Sequence, residues 1–113
     1  MDEKINYDYF KKVEIKIGKI LRVEPVEKSD KLLKLTVDFR EETGPRQILS
    51  GIAKYFPDPQ ALVGKKCPFV TNLEPKPLMG LESNGMILAV GGGAEAFSLF
   101  EVMDESLVGK KVK

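Results

Sequence analysis

Apolar and polar residues alternate in two clear runs of this chain. Val13, Ile15 and Ile17 interleave with Glu14, Lys16 and Gly18; Leu33, Leu35, Val37 and Phe39 interleave with Lys34, Thr36 and Asp38. A period of two is that of a strand with one buried face. The first run continues through Leu21 and Val23, but its phase breaks at Lys19 and Ile20, directly after Gly18. A glycine at such a break predicts a bulge or bend, the device that lets one long strand serve two faces of a small barrel.

The turn residues 41–45 lead into a third predicted strand, 47–50. Residues 51–56 suit one helical turn ended by Pro57. Asp58 and Pro59 then read as an N-cap and a first helical residue, with Gly64 closing the short helix. A fourth strand is predicted over 66–73 and a fifth over 85–90. The glycines 91–93 make a flexible turn before a further strand, 97–103. A small helix between the third and fourth of several short strands is the layout of the OB-fold, an all-β, five-stranded, partly open barrel. One echo stands out: Leu62-Val63-Gly64-Lys65-Lys66 returns as Leu107-Val108-Gly109-Lys110-Lys111. Its simplest reading is a helical turn ended by glycine, with lysines at the carbonyl end.

Composition narrows the chemistry. The 113 residues allow one small core, with residues 1–8 as an N-terminal extension and 9–113 as the domain. Eighteen Lys and Arg against 17 Asp and Glu leave a net charge of +1, so no broad basic field attracts polyanions. There is no histidine, the commonest general base, and the acidic residues are scattered through turns such as Glu41-Glu42. The single cysteine, Cys67, excludes an internal disulfide and suits a small apolar core position. No metal site, cofactor site or enzyme is expected, and the absence of a long apolar run predicts a cytoplasmic protein without a membrane partner.

The segment TNLEPKPLMGLESNGMILAV (71–90) places Asn72, Lys76, Ser83, Asn84 and Met86 around a proline-rich turn. Short polar groups and one soft apolar group suit hydrogen bonding to a base or sugar edge and packing on a π-face. Asn72, Ser83 and Asn84 also suit capping and turn-making, and Met86, which begins an apolar strand, by its chemistry alone suits the core better. Together with KSDKLLKLTVDF (28–39) and RQILSGIAKYF (46–56), the segment resembles the tRNA-binding domain found at the C-termini of many methionyl-tRNA synthetases, in free-standing dimeric tRNA-binding proteins and in endothelial monocyte-activating polypeptide.

That resemblance runs from about Tyr9 onward. It implies an OB-fold and largely sequence-independent recognition of folded tRNA, as an accessory module or β-subunit-like appendage of the synthetase. Positions matching the family's tRNA motifs are Lys31, Asn72, Lys76, Ser83 and Met86, with Asn84 beside them. An OB-fold ligand normally lies near the loops at 25–31 and 74–84, which hold Lys31, Lys76, Ser83 and Asn84, with Asn72 and Met86 just outside the second. The family also implies a homodimer, here through Tyr7, Tyr9, Phe10 and the tail 97–112. Glu74, Pro77 and Met79 stand where relatives often carry Lys or Arg, which predicts weaker binding and a flatter salt dependence. A secretion-associated branch of the family supports an alternative, a protein-interaction or chaperone-like peptide-binding module.

Overall fold

The computed structural model describes residues 3–113; the first two residues of the expected extension lie outside them. Five strands form the expected antiparallel barrel sheet: β1 (Ile15–Pro25), β2 (Leu33–Asp38), β3 (Arg46–Ser50), β4 (Lys66–Val70) and β7 (Met86–Ile87), in the order β3-β2-β1-β4-β7. The β1 strand is long enough to pair with β4 over Ile15 to Lys19 and with β2 over Lys19 to Pro25. Along the free edge of β3 the barrel is closed by single bonds to the residues that lead into β7: the Asn84 amide donates to the Gln47 carbonyl (2.9 Å), and the Leu49 amide donates to Ser83 Oγ (2.9 Å).

The core holds Ile20, Val23, Leu35, Val37, Ile48, Leu62 and Phe69. Phe39 and Phe69 meet edge to face at 5.4 Å. Cys67 is fully buried beside them, and burial pushes its thiol up to about 11, well away from thiolate chemistry.

The bulge falls elsewhere than expected. Ile20 pairs with Val37 and Arg22 with Thr36, so Leu21 is the extra residue and lies 42% exposed. Gly18 instead permits a close approach, since a Cβ there would sit 2.5 Å from Val37 and 2.6 Å from the Phe39 ring. The helix between the third and fourth barrel strands is two 3-10 turns, Ala53–Tyr55 and Pro59–Leu62; the second is capped by Asp58, whose side chain accepts from the Gln60 amide. The chain also opens with a one-turn helix α1 (Tyr7–Phe10) that hydrophobic patterning did not announce, capped by Asn6.

Predicted strands are shorter than expected. The fourth ends at Val70, and the fifth divides into β7 and β8 (Ala89–Gly91). The last is β9 (Phe97–Leu99), which pairs with β8, followed by an isolated bridge from Val102 to Lys66. Tyr55 stacks on Phe97 at 4.0 Å and accepts the Gly93 amide at 2.6 Å, holding that hairpin against the barrel.

The two echoed segments behave alike. Each follows a 3-10 turn, and each docks on β1 by the same pair of bonds. The Gly64 amide donates to the Ile20 carbonyl (2.7 Å) while the Ile20 amide donates to Lys65 (2.9 Å); the Gly109 amide donates to Ile17 (2.7 Å) while Ile17 donates to Lys110 (3.0 Å). One docks on the edge that leads into β4. The other covers the edge that β2 leaves free.

Candidate nucleic-acid interface

The segment between Thr71 and Asn84 is a hairpin rather than the loop its prolines suggest. Strand β5 (Lys76–Leu78) pairs with β6 (Leu81–Ser83), Lys76 opposite Ser83 and Leu78 opposite Leu81. Pro77 lacks an N–H, and β5 is an edge strand, where that loss is tolerated. Met79 and Gly80 turn the chain; Met79 adopts φ 51°, a conformation that costs a non-glycine residue about 1 kcal/mol, and is 57% exposed.

The hairpin's two feet are fixed differently. At the first, Thr71 Oγ1 donates to Glu14 Oε1 (2.6 Å), while Asn72 Oδ1 accepts the Glu14 amide (2.8 Å) and Asn72 Nδ2 donates to the Lys12 carbonyl (2.6 Å). At the second, Ser83 is buried, accepting from Leu49 and donating to the Gly85 carbonyl (3.2 Å). Gln47 Nε2 adds a bond to the Glu82 carbonyl (2.9 Å).

One side chain spans both feet. Arg46 Nη1 donates to the Thr71 carbonyl (2.7 Å) and the Asn84 carbonyl (3.2 Å), while Nε and Nη2 grip the two oxygens of Glu41 at 2.9 and 2.7 Å. The Arg46 fork holds the Glu41 carboxyl below the usual glutamate range; the Thr71 hydroxyl, with Lys16 and Lys111, does the same for Glu14. Neither Arg46 nor Glu41 was expected in the site. Glu41 reads from sequence as a solvated turn residue, and the acceptors of Arg46 are backbone carbonyls, which no side-chain motif reveals.

Five of the six expected site residues thus gather on this hairpin and its feet. Lys76 is exposed on β5, and Met86, 46% exposed at the start of β7, faces outward rather than into the core. Asn84 is half-buried, with its backbone in the seam. The side chains of Asn72 and Ser83 are engaged within the chain, the turn-making alternative the sequence left open. Lys31 stands apart in the loop between β1 and β2, beyond the far end of β3; its carbonyl accepts the Ala53 amide (3.0 Å) and its side chain is exposed.

The sequence profile of the family described as "Putative tRNA binding domain" matches residues 15–111, the whole barrel, the hairpin and most of the tail. The chain belongs to that family. Among curated relatives of this tRNA-binding domain, it is 44% identical over 109 residues to the methionine–tRNA ligase of Chloroherpeton thalassium, covering 96% of this chain and 15% of the ligase. It is 46% identical over 113 residues to that of Methanobrevibacter smithii, covering 100% and 16%. The chain therefore spans about a sixth of the ligases it matches.

Solved structures resemble it over nearly their whole length. A MetRS-related protein from Pyrococcus horikoshii superposes with a TM-score of 0.89 at 38% identity, covering 99% of this chain and 100% of that one. The chaperone CsaA from Bacillus anthracis does so with a TM-score of 0.82 at 25% identity, covering 98% and 100%. The tRNA-binding domain is thus homologous to a region of methionine–tRNA ligases and shares its fold with separate small proteins.

Proposed function

We propose that this domain binds folded tRNA by shape, as a non-catalytic module serving a methionine–tRNA ligase in the cytoplasm. The family match over 15–111 supports this reading, because it includes the hairpin that carries Lys76 and leads into Met86. Lys31 and Lys76 meet phosphates, Asn84 and Met86 meet base or sugar edges, and Asn72 and Ser83 hold the surface in place. Fixed feet reduce the ordering cost of binding. A module of this kind raises the local concentration of tRNA near its enzyme without chemistry of its own.

The domain works as a homodimer in this reading. The exposed Tyr7 and Phe10, with Val13 and Val112, line a shallow groove between α1 and the tail, and Tyr9 is exposed beside it. A two-fold pair would cover this apolar surface and double the tRNA footprint. Light scattering is expected to show twice 12.6 kDa; a monomer at high micromolar concentration refutes the dimer.

Titration of labelled tRNA, with duplex DNA and unstructured single-stranded RNA as competitors, tests the main reading. Folded tRNA should bind well and the competitors poorly, with little preference among tRNAs. Equal competition by the single strand sinks recognition by shape. The likeness to the chaperone CsaA and the apolar hairpin tip at Met79 support the second reading, a peptide-binding module, which an absence of tRNA binding would favour.

A further inference from the structure

Arg46 reaches both ends of the hairpin. Its Nη1 bonds the carbonyl of Thr71, where the hairpin leaves β4, and that of Asn84, where it returns. Its other edge is spent on Glu41 through two parallel bonds. Phe39 lies beneath the guanidinium at 5.3 Å, and Lys16 braces Glu41 from the other side at 3.9 Å. An arginine so engaged has little left to offer a ligand. Four of its hydrogen bonds are made within the chain, its charge is matched by a carboxylate, and its side chain is only 24% exposed.

We propose that Arg46 is a positioning residue of the hairpin: its guanidinium, oriented by Glu41, sets the spacing of the two feet and thereby the pose of Lys76 and Met86. This rests on the tRNA-binding reading above, and adds that affinity depends on a residue that touches no RNA. A lysine cannot replace it, because a single ammonium cannot hold the carboxylate fork on one side and two carbonyls on the other. The remaining ties are local to one foot each: Asn72 fixes the first to Lys12 and Glu14, and Ser83 fixes the second to Leu49. Among the described residues, Arg46 alone bonds to both Thr71 and Asn84.

The test compares Arg46→Lys and Arg46→Gln with Lys76→Ala in two measurements, tRNA affinity across a salt series and amide hydrogen exchange. Losing the two carbonyl bonds should weaken tRNA binding about tenfold. In Arg46→Gln, which removes the charge as well, the slope of log affinity against log salt should stay at the wild-type value, whereas Lys76→Ala should flatten it. Amides within 72–84 should exchange faster in Arg46→Lys while those of β2 keep their protection, which separates a loosened hairpin from a weakened fold. If Arg46→Lys does not fold, Glu41→Gln, which leaves the guanidinium in place but unbraced, should give the same pattern with smaller amplitude. A slope flattened in Arg46→Gln as it is in Lys76→Ala would make Arg46 a phosphate contact and overturn the proposal. Unchanged exchange in the hairpin, or faster exchange with unchanged affinity, would overturn it as well. If the wild type binds no tRNA, the previous reading fails on its own, and the exchange data still decide whether Arg46 holds the hairpin.

Discussion

The amide of Leu49 donates to the hydroxyl of Ser83 at 2.9 Å, and this bond joins the free edge of β3 to the second foot of the hairpin. Both groups are buried, so the serine closes the barrel and seats the hairpin at once. Ser83→Ala leaves the Leu49 N–H without a partner and should cost about 1–3 kcal/mol of stability. Urea unfolding checks this. Met86→Ala, by contrast, should leave stability nearly unchanged and weaken tRNA binding without altering its salt slope, since it removes packing and no charge.

Charge on the hairpin should set the salt dependence of tRNA binding. Glu74 is exposed at the start of the hairpin segment, so Glu74→Lys should tighten tRNA binding and steepen the log–log salt slope by roughly 0.7–0.9. Lys31→Ala should flatten it by a similar amount. A salt series of binding titrations measures both, and an unmoved slope in both variants would place RNA elsewhere on the molecule.

Gly18 tests the packing at the centre of β1. A methyl group there meets Val37 at 2.5 Å and the Phe39 ring at 2.6 Å, closer than carbon atoms tolerate. Gly18→Ala should destabilise the domain by about 2–3 kcal/mol, the usual scale of overpacking in a filled core. Thermal melts should register it as a clear fall in Tm.

Acid should loosen the hairpin end of the barrel first. Glu41 and Glu14 are both held below their ordinary value of 4.5, Glu41 chiefly by Arg46 and Glu14 chiefly by Thr71, with Lys16 and Lys111 nearby. A carboxyl lowered by folding contributes stability that is present above the unfolded value and is lost as pH falls through the folded one. The urea midpoint should therefore hold near neutrality and decline below about pH 4.5. Glu41→Gln should reduce the steepness of that decline; an unaltered profile would show that the carboxylate adds nothing to folding.

Much of the barrel was legible because its strands obey simple periodicity. Leu33, Leu35 and Val37 alternate strictly, and all are buried. Where the reading failed, two physical causes produced one signal. A glycine at a phase break fits a bulge and a close approach equally, and Gly18 is the second; the actual bulge residue, Leu21, looks from its chemistry like core. The β5–β6 hairpin was hidden because Pro75 and Pro77 mark loops and the turn is Met79-Gly80 rather than an asparagine-glycine pair. The candidate site was half legible. The resemblance pointed to Lys76 and Met86, which the structure leaves exposed, but the bonds of Arg46 and Asn72 to backbone carbonyls exist only after the chain has closed.

The docking of Gly109 and Lys110 on Ile17 has a consequence in time. The partners lie more than 90 residues apart in the chain. At a ribosomal pace of about 5–20 residues per second, one edge of β1 stays open for roughly 5 to 20 seconds after it emerges. During that interval Ile15 and Ile17 present an unpaired apolar strand edge, the kind of template on which nascent chains aggregate. The tail thus acts as a late seal, and the vulnerable period of this small barrel is set by translation speed rather than by the rate at which its strands pair.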